Sequence, residues 1–304
     1  MKEIKTVCLI GLGALGIMYA QKLSAFLPDG DFCVIVDQER KVRYEQQGIF
    51  CNDEQCRFHY VLPEEAKPCD LLLFSTKATG LHTAMESAKG FVGEDTIILS
   101  AINGIVSEEI LGEAFGAEKV IYAVAQGTDA TRVGNHLTYH VIGDIVIGEK
   151  NGEISERIRA VEQLLLQAGI GCQVRTDILR HQWNKFMYNV GLNQVTTIYE
   201  TDYSGVQLPG EARDMMIAAM REVRGLSDYE GICLTEEDIA GWLKILDTFS
   251  PDGEPSMRQD AKAKRPTEVF LFAQTVQAFG RKHGVPTPIN DWLEKRIKEI
   301  EAAY

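Results

Sequence analysis

Lys185, Asn189 and Asn193 recur every fourth residue in the run WNKFMYNVGLN. On a helix that spacing puts an ammonium and two carboxamides on one face, spread over about 12 Å of axis. This is the length of a small branched acid. The groups are ones that hold a carboxylate or hydroxyl and give a proton to an oxygen. Trp183, Phe186, Met187, Tyr188, Val190 and Leu192 make up most of the remainder. A polar stripe among such neighbours must meet water or a polar cavity, because buried unpaired amides are costly. By spacing alone a solvated surface face is an equally good reading. Glu268 stands in a second informative run, PSMRQDAKAKRPTEVF, and the VFLF that follows predicts an apolar helical segment around it. A carboxylate so placed calls for a cation, and Lys185 is the candidate; the alternatives are a surface acid or a structural ion pair. Ser256, at the head of the same run, is a candidate helix N-cap.

The other end of the chain suggests phosphate binding. GLGALG, residues Gly11, Leu12, Gly13, Ala14, Leu15 and Gly16, follows an apolar run and opens a helical pattern. In that context the first glycine permits a tight turn, the second lets a pyrophosphate approach the backbone, and the third allows close packing. The helix N-terminus adds N–H groups and partial positive charge. Asp37 ends the second apolar run, where a carboxylate accepts from ribose hydroxyls and repels a 2′-phosphate, favouring NAD over NADP. Arg40, Lys41 and Arg43 follow closely, either to hold a 2′-phosphate or as a solvated helix face. Lys77 and Asn103 each follow an apolar run, at the carboxyl end of the expected sheet, where ligands bind in open α/β folds.

The elements that must position these groups fall into two sets. Apolar runs at 7–11, 32–37, 70–76, 96–101 and 119–125 alternate with helical patterns at 14–27, 38–47, 80–89, 105–113 and 154–168. This predicts βαβ units and a mostly parallel sheet. Residues 136–147 suggest an antiparallel hairpin at the sheet edge, and 172–175 a last strand. Beyond Asp177, a candidate cap, only helical patterns follow, at 178–199, 210–230, 235–248, 265–283 and 289–303. The expected organisation is a dinucleotide-binding Rossmann domain over 1–176 and an all-α substrate and catalytic domain over 177–304.

Composition narrows the partners. Lys and Arg number 31 against 44 Asp and Glu, a net charge of −13, which repels nucleic acid. No apolar stretch is long enough to span a membrane, and no cleavable signal precedes the first strand pattern. Seven scattered cysteines suit a reducing compartment, so a cytoplasmic location is expected. Cys51, Cys56, His59 and Cys69 lack the paired spacing of a zinc site and read as strand and hairpin residues; no metal is expected. Cys8, Cys33 and Cys69 read as small core residues.

Taken in order, GLGALG, STKAT around Lys77, INGI around Asn103, the Lys185–Asn189–Asn193 helix, SM…QD…RPTE from Ser256 to Glu268, and GVPTP at 284–288 resemble the ketopantoate reductase (2-dehydropantoate 2-reductase) family over nearly the whole chain. The resemblance implies a helical domain of the 6-phosphogluconate dehydrogenase-like type and an active site between the two domains. It implies NADP(H)-dependent reduction of a 2-keto acid, with Lys185 as general acid and Glu268 aligning Lys185 and the substrate. Asn189, Asn193 and Ser256 would bind substrate. Lys77, Asn103 and Glu268 would contact the coenzyme, with Asn103 near the substrate too. A homodimer is among the expected assemblies. Three positions depart from the family pattern. The usual arginine near residue 37 is missing, and Asp37 makes NAD(H) an expectation beside NADP(H). Gln194 stands where a proline is usual, and Tyr203 where a further substrate asparagine is usual. Two other functions fit the same features: reduction of another branched 2-keto acid or imine, and a non-enzymatic dinucleotide sensor.

Overall fold

The computed structural model describes residues 3–304. It divides into two compact units, Met1–Ile178 and Leu179–Tyr304. In the first, the strands are β1 (Val7–Ile10), β2 (Phe32–Ile35), β3 (Ile49–Cys51), β4 (Glu54–Cys56), β5 (Tyr60–Val61), β6 (Leu71–Phe74), β7 (Ile97–Ser100), β8 (Val120–Gln126), β9 (Thr131–Val133), β10 (His136–Thr138), β11 (Asp144–Gly148) and β12 (Gly171–Val174). The helices are α1 (Ala14–Phe26), α2 (Gln38–Gln47), α3 (Leu81–Ala88), α4 (Ser107–Phe115) and α5 (Glu156–Gln167). Eight strands form one sheet in the order β12-β11-β8-β7-β6-β1-β2-β5. Every pairing in it is parallel except β8 with β11. β1, β2 and β6 are buried at all four positions, as expected of strands covered on both faces. From β1 the chain steps to β2 on one side and later to β6 on the other. The reversal opens a crevice at the carboxyl end of β1.

The expected hairpin at 136–147 is not formed. β10 and β11 belong to different sheets. The hairpin lies earlier: β9 and β10 pair antiparallel with Val133 opposite His136, joined by Gly134–Asn135. Gly134 has φ +61°, which a two-residue turn of this kind requires. β10 also pairs with β3, and β3 with β4, completing a four-stranded sheet, while Asp144–Gly148 joins β8 instead.

The second unit has no strand among its described residues. Its helices are α6 (Ile178–Ile198, starting on the last residue of the first unit), α7 (Ser204–Gln207), α8 (Glu211–Ser227), α9 (Glu236–Leu246), α10 (Ser256–Lys262), α11 (Thr275–His283) and α12 (Pro288–Glu301). A π-helical segment, Phe270–Gln274, leads into α11. Arg180 pairs with Asp238 at 2.6 Å, and Trp242 Nε1 donates to Asn184 Oδ1 at 2.8 Å. These contacts are four residues apart on both helices, so α6 and α9 run side by side in one direction. A polar bolt joins α6, α8 and α12. Glu222 accepts from the backbone N–H groups of Ile289 (2.7 Å) and Asn290 (3.0 Å) and from the Asn290 amide (2.8 Å), and Gln194 Nε2 donates to Asn290 Oδ1 (3.1 Å).

Two local expectations are corrected. Ser256 is the first residue of α10, and Pro255 occupies the N-cap position. Glu268 does not sit inside a helix spanning 265–283; it stands just before the helical segment that opens at the π turn. Lys264 in a left-handed conformation (φ +51°) and Pro266, which lacks an N–H, break the chain between α10 and that segment.

Candidate active site

The glycine-rich turn follows β1 at the crevice. A Cβ on Gly11 (φ +102°) would come within 2.7 Å of the Ser75 backbone, and one on Gly16 would collide with the Gly11 carbonyl. Both glycines are demanded by the chain's own packing. Gly13 is different: the nearest atom to a Cβ there, the Ser75 carbonyl oxygen, is 3.6 Å away. The protein leaves room at that position, which is where a pyrophosphate would approach. Gly13 is the N-cap of α1, no side chain caps it, and the first turn carries no acid. Leu12 is buried, and Ala14 and Leu15 pack against the core, so only the backbone of this turn is offered outward. Thr76 keeps a buried Oγ1 without a partner and stands against Gly11. These features fit an anionic dinucleotide.

Asp37 lies just past β2 and is the N-cap of α2. Its Oδ1 accepts from the Arg40 N–H at 2.7 Å, and its Oδ2 pairs with the Arg40 guanidinium. The two rival readings of this corner, an acid for ribose and a cation for a 2′-phosphate, are thus bound to each other. Lys77 is exposed at the carboxyl end of β6, and Asn103 is half-buried at the carboxyl end of β7. Arg132 on β9 went unnoticed in the sequence. Its guanidinium bridges the Leu12 carbonyl and, at 2.8 Å, the Gly134 carbonyl, so the hairpin braces the glycine-rich turn. The GN turn beside a lone arginine was the available signal.

In the second unit, α6 carries Lys185, Asn189 and Asn193 along one face. Asn189 and Asn193 are 9% and 5% exposed, which rules out the solvated-face reading for the amides. Asn193 Oδ1 accepts from the Met257 N–H at 3.4 Å, tying α6 to the start of α10 beside Ser256, whose side chain is exposed. Burial pulls the Lys185 ammonium down to about 8, and the Glu268 carboxylate pulls the other way. Desolvation therefore outweighs the carboxylate, a balance that sequence leaves open. Glu268, 9% exposed, stands before the π segment, whose first carbonyl, Phe270, accepts from Thr275 Oγ1 at the start of α11 at 3.4 Å. Lys185 with Glu268, and Asn193 with the start of α10, are brought together. A lysine held near 8 can both donate and accept a proton close to neutral pH.

A cavity of about 330 Å³ lies elsewhere, lined by Ile4, Asp70, Thr96, Lys119 and Arg157 among others. It opens at the amino ends of β1, β6, β7 and β8, opposite the end where parallel sheets bind ligands, and is no candidate for this chemistry.

Two models of one family match the chain: Ketopantoate reductase PanE/ApbA over residues 7–152, and Ketopantoate reductase PanE/ApbA C terminal over residues 177–301. The chain belongs to the ketopantoate reductase family. As a member it is an oxidoreductase with Rossmann-type NAD(P) binding. A 2-dehydropantoate 2-reductase of Aquifex aeolicus (strain VF5) is 26% identical over 303 residues, covering 96% of each chain. Among solved structures, D-mandelate dehydrogenase with NADH and anilino(oxo)acetate superposes with a TM-score of 0.88 at 21% identity over 98% of each chain. A dimeric ketopantoate reductase from Staphylococcus aureus gives 0.81 at 19% identity, over 98% of this chain and 99% of that one. At these identities the structural likeness shows the fold alone. Among the described residues no helix is long and apolar enough to cross a membrane.

Proposed function

We propose that this ketopantoate reductase family member reduces 2-dehydropantoate to pantoate, for pantothenate and coenzyme A synthesis in the cytoplasm, and does so as a homodimer. The observation that carries the reading is the Lys185–Glu268 pair on the buried polar face of α6. When bound, the reduced nicotinamide supplies a hydride to the carbonyl carbon. Lys185 gives its proton to the developing alkoxide, and water returns one to the amine. Glu268 holds the ammonium in place and offsets part of the cost of burying it. Asn189, Asn193 and Ser256 bind the substrate, and Asn103 contacts the coenzyme. Gly11–Gly16 and Lys77 receive the coenzyme phosphates. Asp37 supports use of NADH at least as well as NADPH.

Reduction of a different 2-keto acid is the second reading. It is favoured by two departures from the family pattern, Gln194 where a proline is usual and Tyr203 where a substrate asparagine is usual. Initial rates with ketopantoate and other branched or aryl 2-keto acids, against both reduced coenzymes, separate the two. Lys185→Ala is expected to lose at least about a hundredfold in turnover while its coenzyme affinity survives. A variant that keeps most of its activity removes Lys185 from the reaction. Sedimentation of the native chain tests the dimer.

A further inference from the structure

We infer that the phenol hydroxyls of Tyr188 and Tyr203 form a subsite for a neutral hydroxyl on the substrate's carbon chain, and so set a preference for hydroxylated 2-oxo acids. The inference rests on the function proposed above. Tyr188 is 6% exposed, and its hydroxyl is buried without a hydrogen-bond partner. Such a group is disfavoured in a folded protein unless water or a ligand meets it. The ring cannot swing away to find one. It is stacked on Trp242 at 4.3 Å and 9°, and Trp242 is itself held by Asn184. On α6, Tyr188 is the i+3 neighbour of Lys185, so the orphaned hydroxyl belongs to the wall beside the proton donor.

Tyr203 stands close to Tyr188. Its N–H donates to the Gly253 carbonyl at 2.9 Å, and its ring lies so close to Gly253 that a Cβ there would come within 2.7 Å of it. That segment runs on through Pro255 into α10, whose Met257 N–H is held by Asn193. The two phenols therefore border the same polar face, one through α6 and one through the strand of chain that Asn193 anchors. Burial raises the pKa of both phenols; the Tyr203 phenol is near enough to oppose ionisation of Tyr188 further, and Glu254 does the same at Tyr203. Both stay neutral, with a carboxylate at hand. This suits a hydroxyl and disfavours a second carboxylate.

The test compares kcat/KM for ketopantoate and for trimethylpyruvate, the same acid with a methyl group in place of the hydroxymethyl group. Tyr188→Phe should lose about tenfold on ketopantoate, mainly in KM, with little change on trimethylpyruvate. Its melting temperature should equal or exceed that of the wild type, since only an unpartnered hydroxyl is removed. Equal losses on both acids, or no loss on ketopantoate, would overturn the subsite. If Tyr188→Phe fails to fold, Tyr203→Phe carries the same comparison. A wild-type chain that reduces trimethylpyruvate as well as ketopantoate overturns the inference alone. One that reduces no 2-oxo acid overturns the proposed function and the subsite with it.

Discussion

Lys185 should write its own titration into the pH–rate profile. Its ammonium is held at about 8, against an ordinary lysine value of 10.5. If it is the proton donor, kcat/KM for reduction should be level below pH 8 and fall roughly tenfold per unit above it. At pH 9.5 only about 3% of such a group is protonated, against about 90% of an unperturbed lysine, so the alkaline loss is large and easily read. Oxidation of the alcohol needs the neutral amine, so its profile should rise through the same midpoint and then level off. The carboxylate supplies the control. Glu268 is the influence that raises the Lys185 value, so Glu268→Gln should move the midpoint to lower pH. Initial rates by nicotinamide absorbance in both directions, for wild type and Glu268→Gln, are sufficient. A reduction limb that stays flat to pH 10, or a midpoint that moves upward in Glu268→Gln, would refute the reasoning.

Two other outcomes follow from the coenzyme end. Asp37→Asn should shift the kcat/KM ratio towards NADPH by about tenfold or more, because it removes a carboxylate that repels a 2′-phosphate and releases the Arg40 guanidinium now paired with it; an unchanged ratio would show that this corner does not read the ribose. Gly13→Ala should melt within a few degrees of the wild type yet bind NADH much more weakly in a fluorescence titration, whereas Gly16→Ala should be clearly destabilised by its collision with the Gly11 carbonyl. Equal behaviour of the two variants in both measurements would be the contrary result.

The sheet was legible because its strands are covered on both faces, which turns them into short unbroken apolar runs between helices. The edge was not. Two short β segments a few residues apart read as a hairpin, and only the left-handed backbone at Gly134 reveals that the reversal comes earlier and sends β10 to another sheet. At the site, helical spacing was enough to align Lys185, Asn189 and Asn193, since α6 runs unbroken through all three. It could not say that desolvation outweighs Glu268 at the ammonium, because that depends on everything packed around it. Nor could it place Glu268, where a left-handed residue and a proline overrode the apolar pattern that follows. Asp37 shows the same limit. Its position after β2 was readable, but its bond to the Arg40 N–H depends on where α2 begins. The unpartnered hydroxyl of Tyr188 leaves no trace in the sequence at all.

Glu222, Asn290 and Gln194 have a consequence for steering. A helix turned by one residue swings each of its side chains through about 100°. Apolar contacts alone tolerate some slippage of this kind, since one greasy surface slides over another at modest cost. Hydrogen bonds do not, because a donor displaced by an ångström or two has lost its acceptor. Gln194 directly follows Asn193, so the latch that seats α12 also fixes the azimuth of α6 and keeps its ammonium and carboxamides aimed the same way in every molecule.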